Sequence, residues 1–242
     1  MKDVLFRLEK NIEIAKNTYL WELSGDISDI TASGQFVNIK LDGFFLRRPI
    51  SVCDAEGDRL TIIFKAVGHG TEMMARASVG EEFSVLTGLG NGYDLTKSGD
   101  KPLLIGGGAG VPPMYMLCKQ LIREGKQPTV ILGFNTASEV FYKDEFEALG
   151  AKVLIATADG SVGIKGFVTN AMDGVDYTYF YTCGPEPMLK AVYKASLTSG
   201  QMSFEERMGC GFGACMGCSC KTLICSKRFC KEGSVLEKDE IL

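Results

Sequence analysis

Gly106-Gly107-Gly108-Ala109-Gly110-Val111-Pro112-Pro113 follows a short apolar run, Pro102–Ile105, and opens a longer one, Val111–Glu124, that stops at Gly125. Strand, glycine turn and helix follow from that pattern. Glycines let a backbone approach a ligand closely, and a helix N-terminus offers free N–H groups and a positive dipole end to phosphate. The two prolines suit the first helical turn, where a missing N–H costs little. Taken alone, such a turn is equally compatible with a plain tight connection.

Downstream the same rhythm repeats. Thr129–Phe134, Lys152–Ala156 and Tyr177–Thr182 read as strands, and Lys143–Leu149, Gly166–Met172 and Pro185–Leu197 as helices. This alternation predicts a doubly wound parallel sheet, an α/β unit whose ligands bind at the carboxyl ends of the strands. Tyr181-Thr182-Cys183-Gly184-Pro185-Glu186-Pro187-Met188 is a second strand-to-helix turn at that edge. The two turns together point to a nicotinamide dinucleotide, with Gly108, Gly110, Cys183 and Gly184 as candidate contacts. Cys183 is either core filler or a thiol beside the nicotinamide ring. Asn135-Thr136-Ala137-Ser138-Glu139 carries no arginine for a 2′-phosphate, which favours NAD over NADP.

Upstream the pattern is all-β. Ile12–Ile14, Thr18–Leu23, Gln35–Leu41, Leu60–Val67 and Glu82–Leu86 are separated by Ser24-Gly25-Asp26, Asp42-Gly43 and Glu56-Gly57-Asp58. Short strands at this spacing predict a small antiparallel barrel, with Thr71–Ala77 as a helical insert. The polar stretch Thr96–Lys101 separates the two units. The expected organisation is a barrel over 1–98, an α/β domain over 99–200 and a cysteine-rich segment over 201–242. In the barrel, Arg47-Arg48-Pro49-Ile50-Ser51 offers an arginine for a pyrophosphate and a hydroxyl for a flavin ring nitrogen. Gly68-His69-Gly70-Thr71 is a further phosphate-cradling turn, and His69 reads as a loop residue there.

The chain has 242 residues, 45% of them apolar, which fits two modest domains as well as one large one. Net charge is -4 and the pI about 5.2, so no basic field attracts nucleic acid. Met1–Lys10 mixes charges among its apolar residues, and no run is long enough to span a bilayer. A cytoplasmic protein is expected, with no membrane partner.

Nine cysteines are present, and Cys210, Cys215, Cys218, Cys220, Cys225 and Cys230 crowd the last segment. In a reducing compartment this argues for a metal or iron–sulfur site rather than disulfides. Cys210, Cys215 and Cys218 form C-x₄-C-x₂-C, the plant-type [2Fe–2S] spacing, which needs a fourth, distant cysteine. Cys225 and Cys230 compete for that place. Gly209, Gly211, Gly213 and Gly217 let the backbone wrap a cluster and aim N–H groups at its sulfurs. Structural zinc is the alternative, although zinc sites more often pair two knuckles.

The order Arg-Pro-Ile-Ser, Gly-His-Gly-Thr, glycine–proline turn and Cys-Gly-Pro-Glu-Pro-Met resembles the ferredoxin–NADP reductase superfamily up to about Gly200. The resemblance implies that Arg48 contacts the FAD pyrophosphate and Ser51 lies near N5. It also implies that Ile63, Phe64 and Lys65 run along the FAD, with Pro49 and Ile50 beside it, and that Gly70 and Thr71 bind its phosphates. The superfamily commonly has a tyrosine where this chain has Ile50, so stacking by that residue is lost. With Glu206-Arg207-Met208-Gly209-Cys210-Gly211-Phe212-Gly213-Ala214-Cys215-Met216-Gly217-Cys218 added, the chain is similar to the electron-transfer subunits of NAD-dependent (class 1B) dihydroorotate dehydrogenase.

That family implies Cys210, Cys215, Cys218 and Cys230 as ligands, Cys230 because Arg228-Phe229-Cys230-Lys231-Glu232-Gly233 resembles its fourth-ligand segment. It implies FAD, [2Fe–2S] and NAD as cofactors, and an FMN-containing catalytic subunit as partner in a heterotetramer serving pyrimidine biosynthesis. No residue resembles acid–base machinery for dihydroorotate itself. The rival reading is a subunit of a related NADH/ferredoxin:NADP oxidoreductase or sulfide dehydrogenase, in which aspartate often replaces the first cluster cysteine. A nucleotide-sensing module with structural zinc is a third.

Overall fold

The computed structural model describes residues 1–241. Its first part comprises β1 (Lys2–Ala15), β2 (Thr18–Ser24), β3 (Phe36–Ile39), β4 (Arg48–Glu56), β5 (Arg59–Lys65), α1 (His69–Ala75) and β6 (Glu82–Leu89). These six strands close an antiparallel barrel in the order β1-β2-β5-β4-β3-β6. β1 is long because its first half pairs with β6 and its second half with β2, and this closes the barrel without a free edge. Phe6, Leu8, Trp21, Val37, Ile39, Val52, Ile62 and Phe64 fill it, together with Met74 of α1.

The helical insert starts earlier than the sequence predicts. Thr71 Oγ1 accepts hydrogen bonds from the amides of Val67 and Gly68 at 3.0 and 3.2 Å, which folds the preceding residues into the first turn. His69 is therefore the first helical residue, and it is exposed, rather than a loop residue.

The second part alternates β7 (Pro102–Gly107), α2 (Val111–Arg123), β8 (Thr129–Phe134), α3 (Lys143–Ala148), β9 (Lys152–Thr157), β10 (Ile164–Lys165), α4 (Val168–Ala171), β11 (Tyr179–Cys183), α5 (Glu186–Ala195) and β12 (Gly200–Ser203). A hairpin, β13 (Ser219–Lys221) with β14 (Ser226–Arg228), precedes the last strand, β15 (Val235–Glu237). The sheet order is β10-β9-β8-β7-β11-β12-β15, parallel except for β15 against β12. β7 is apolar throughout because both its faces are covered. Leu104 packs with Met114, Leu117 and Leu121 of α2, while Leu103 and Ile105 pack with Val168, Leu189 and Val192 of α4 and α5. Full burial of each such side chain contributes about 1.5–3 kcal/mol, so α2 is held by its buried face.

Barrel and sheet share one core. Leu20, Cys53 and Ile63 on the outside of the barrel join the α2 cluster. Lys119 of α2 bonds Asp54 at 2.7 Å and Glu56 at 2.9 Å on β4. The cysteine segment is seated on the barrel as well: Cys218, Phe229, Cys230 and Leu236 pack against Phe36 and Leu89. Asn91 clamps Val235 through two hydrogen bonds of 2.8 and 3.2 Å. Among the described residues no helix is long and apolar enough to cross a membrane.

Candidate redox site

The strand order reverses between β7 and β11, which makes their carboxyl ends the crevice where an open α/β sheet takes a ligand. The glycine turn follows β7, and Gly184-Pro185 follows β11. The glycines divide their work. A Cβ at Gly106 would stand 2.8 Å from Val111 Cα, and one at Gly110 would collide with the Cys183 carbonyl, so both are packing glycines. Gly108, at φ +52°, has open space above it.

A cleft of about 510 Å³ lies over that turn, walled by Gly107, Gly108, Ala109, Asn135, Phe167 and Met188 among others. α2 points its N-terminus at this side of the molecule, with Pro112 and Pro113 in its first turn. Of the predicted contacts only Gly108 faces this cleft. Gly110 and Gly184 line neither cleft, and Cys183 lines the next one.

That second cleft, of about 340 Å³, lies between barrel, sheet and cysteine segment. Pro49, Ile50, Ser51, Ile63, Phe64, Lys65 and Thr71 line it, and so does Cys183, which the sequence had put beside the nicotinamide ring or in the core. Apolar walls with a few placed polar groups are the usual makeup of a cofactor pocket. Arg48 and Gly70 do not line it. The Arg48 guanidinium stacks over Phe44, 4.4 Å from the ring centre, and lies where a Gly70 side chain would have to be. Burial pushes the Cys183 thiol up to about 12, so it stays protonated. Glu205 also lines the cleft. Glu205 is exposed overall, and the protein packed around its carboxyl raises it above its usual range by desolvation.

Lys65 and Ala109 line both clefts, which therefore adjoin. Phe36 and Met208 line the second cleft and pack into the cluster holding Cys218 and Cys230. Sequence reasoning missed Phe36, Phe204, Glu205, Met208 and Ser234. Phe204 and Glu205 immediately precede the cysteine motif, but only the pairing of β12 with β11 and β15 brings them to the cleft.

The four predicted cysteines lie together as two pairs. The amide of Cys210 donates to Cys215 Sγ at 3.5 Å, and the amides of Ala214 and Cys215 donate to Cys210 Sγ at 3.2 and 3.4 Å. The Cys230 amide donates to Cys218 Sγ at 3.5 Å. Partial burial opposes ionisation of Cys210, but the amides of Cys215, Phe212 and Ala214 outweigh it and pull the thiol down to about 6. Cys230 is pushed up to about 12 by burial and by the neighbouring Cys218. Among the described residues no three His, Cys, Asp or Glu side chains converge as the ligands of a single ion. Cys225 is exposed at the tip of the hairpin, and Cys220 is half-buried on β13.

Residues 205–242 match the iron–sulfur cluster binding domain of dihydroorotate dehydrogenase B, and residues 104–194 match the oxidoreductase NAD-binding domain. The chain is 46% identical to the dihydroorotate dehydrogenase B (NAD(+)) electron transfer subunit of Fusobacterium nucleatum, over 88% of each chain. It is 43% identical to that of Bacillus pumilus, over 100% of this chain and 98% of the other. The solved structure of an NADH-dependent reduced ferredoxin-NADP oxidoreductase superposes with a TM-score of 0.90 at 26% identity, covering 98% of this chain and 89% of that one. With two adjoining clefts, a cysteine loop against one of them and full-length identity at this level, the chain belongs to the family of dihydroorotate dehydrogenase B (NAD(+)) electron transfer subunits.

Proposed function

We propose that this subunit carries electrons from a dihydroorotate-oxidising, FMN-containing catalytic subunit to NAD⁺, in a cytoplasmic heterotetramer of two of each chain. The observation that carries the reading is the sharing of walls. Lys65 and Ala109 belong to both clefts, and Phe36 and Met208 belong to both the second cleft and the cysteine core. A dinucleotide, a flavin and a cluster placed in that order would touch in sequence.

The residues present suit each group. The second cleft takes the flavin ring of FAD: Ile50, Ile63 and Phe64 offer apolar surface and Ser51 a hydroxyl, while Arg48, outside the cleft, leaves a charge for the pyrophosphate. Gly108 leaves room for the dinucleotide phosphates over the start of α2. Cys210, Cys215, Cys218 and Cys230 hold the cluster, and two thiol pairs suit two irons better than one zinc. FAD held there would supply hydride exchange with nicotinamide and single-electron exchange with the cluster.

The chain's own residues keep this chemistry on course. Cys183, neutral at working pH, closes the wall of the flavin cleft without placing a charge beside the ring. Ala109, small and shared by both clefts, lets nicotinamide and flavin approach. Exposed Phe212, Met216, Leu223 and Ile224 around the cysteines present the face for the catalytic subunit.

The test is dihydroorotate-dependent NAD⁺ reduction by this chain co-purified with an FMN-type catalytic subunit from the same organism. Activity that needs both chains is the expected result. A chain holding FAD and cluster but inactive in that assay would favour the second reading, a subunit of a related NADH/ferredoxin:NADP oxidoreductase or sulfide dehydrogenase, the first of which shares this fold at a TM-score of 0.90.

A further inference from the structure

Arg228 stands outside every role assigned so far. It closes β14 two residues before Cys230, and its side chain turns back across the hairpin to the loop that carries Cys210 and Cys215. Its Nη1 donates to the Gly213 carbonyl at 2.7 Å. Nε donates to Glu232 at 2.7 Å, and Nη2 also meets that carboxylate. Glu232 accepts the Arg228 amide at 2.9 Å as well, so the guanidinium is held from behind and aimed forward.

What it aims at is the far end of a thiol contact. The Gly213 carbonyl and the Ala214 amide belong to one peptide group, and that amide donates to Cys210 Sγ at 3.2 Å. A cation on the carbonyl oxygen draws electron density through the peptide and makes its N–H a stronger donor. Gly213 is at φ +92°, a conformation that favours glycine, and a Cβ there would stand 2.8 Å from Lys231.

We propose that Arg228 is a positioning residue that raises the reduction potential of the iron–sulfur cluster by polarising the Gly213–Ala214 peptide toward Cys210. The inference rests on the reading that Cys210, Cys215, Cys218 and Cys230 hold a [2Fe–2S] cluster. Reduction adds a negative charge to the cluster, and hydrogen bonds to its sulfurs stabilise the electron-rich state. Glu232 offsets the guanidinium's charge, so the polarised peptide carries the effect, and losing Glu232 leaves Arg228 with an uncompensated charge.

The experiment is a dye-mediated redox titration of the purified full chain, followed by the electron paramagnetic resonance signal of the reduced cluster, with iron content measured on each sample. Arg228→Gln should titrate at a more negative potential than wild type, Arg228→Lys between the two, and Glu232→Gln at a more positive one. Shifts of opposite sign from the two partners are not what a merely structural brace produces. Full iron and an unchanged midpoint in Arg228→Gln would overturn the proposal. If Arg228→Gln loses iron, Arg228→Lys decides, and a midpoint equal to wild type overturns it equally. Absence of any reduced-cluster signal in wild type would instead overturn the cluster reading itself, and this inference with it.

Discussion

Lys65 Nζ meets the Glu139 carboxylate at 2.9 Å across the seam of barrel and sheet, where the two clefts adjoin. The same carboxylate accepts hydrogen bonds from the Asn135 amide and side chain at 3.2 and 2.9 Å. One acidic group thus ties β5 to the end of β8 and holds Lys65 in the wall that the two clefts share.

The Lys65 ammonium, foremost, and the Asn135 donors hold the Glu139 carboxyl below its usual 4.5. A carboxyl lowered by folding stabilises the fold fully above its unfolded value and loses that contribution as pH falls below it. The pair is partly exposed, with side-chain exposures of 34% and 18%, so Glu139→Gln should cost about 1 kcal/mol or less at pH 7. Urea unfolding of both proteins should show the difference shrinking below pH 4.5. A difference that persists undiminished in acid would mean the pair does not carry it.

Two neighbouring glycines should separate stability from nucleotide binding. Gly110→Ala pushes a methyl into the Cys183 carbonyl, which is backbone and cannot swing away. Overpacking of that kind typically costs about 1–3 kcal/mol, read as a lower denaturation midpoint. Gly108→Ala meets no atom within 4 Å, but its φ of +52° adds about 1–2 kcal/mol of backbone strain, and the methyl projects from the turn that walls the dinucleotide cleft. Its effect should appear chiefly as a raised KM for NADH in flavin reduction. Equal nucleotide defects in both variants would contradict this division.

Cys225 and Cys230 were rivals on spacing alone, and burial separates them. Cys230 is 2% exposed beside Cys218, whereas Cys225 sits in the open hairpin turn. Cys225→Ser should keep its full iron content and visible absorption. Cys230→Ser should lose most of its cluster iron while retaining FAD. The reverse pattern would transfer the fourth ligand to Cys225.

The central strands β7, β8, β9 and β11 were legible because each is a compact apolar run between turn residues, and β8 is read with its observed bounds. β1 was half missed: exposed Leu5 beside buried Phe6 and a register shift between Leu8 and Lys10 break the alternation. β12, Gly-Gln-Met-Ser, has no strand signature and forms because β11 and β15 flank it. The cleft residues contributed by that strand were illegible for the same reason. Motif residues were found more readily than their roles: Gly110 belongs to the glycine turn by sequence, yet serves the packing of α2 on β11.

The face around the cysteines gives the last expectation. Leu223 and Ile224 are 61% and 73% exposed at the tip of the β13–β14 hairpin, in the segment that supplies Cys218 and Cys230. The tip is already ordered: Thr222 Oγ1 accepts from the Ile224 and Cys225 amides and donates to the Cys225 carbonyl. Large aliphatic side chains held outward on a rigid turn gain about 1.5–3 kcal/mol each when covered. If the catalytic subunit covers them, Leu223→Asp with Ile224→Asp should weaken its binding at least about tenfold, since 1.4 kcal/mol is a factor of ten. NADH-dependent ferricyanide reduction and iron content should stay unchanged, because neither residue lines a cofactor cleft. Dihydroorotate-dependent NAD⁺ reduction should fall at limiting partner and recover as partner is added. Unchanged partner affinity in the double variant would place the docking face elsewhere on the molecule.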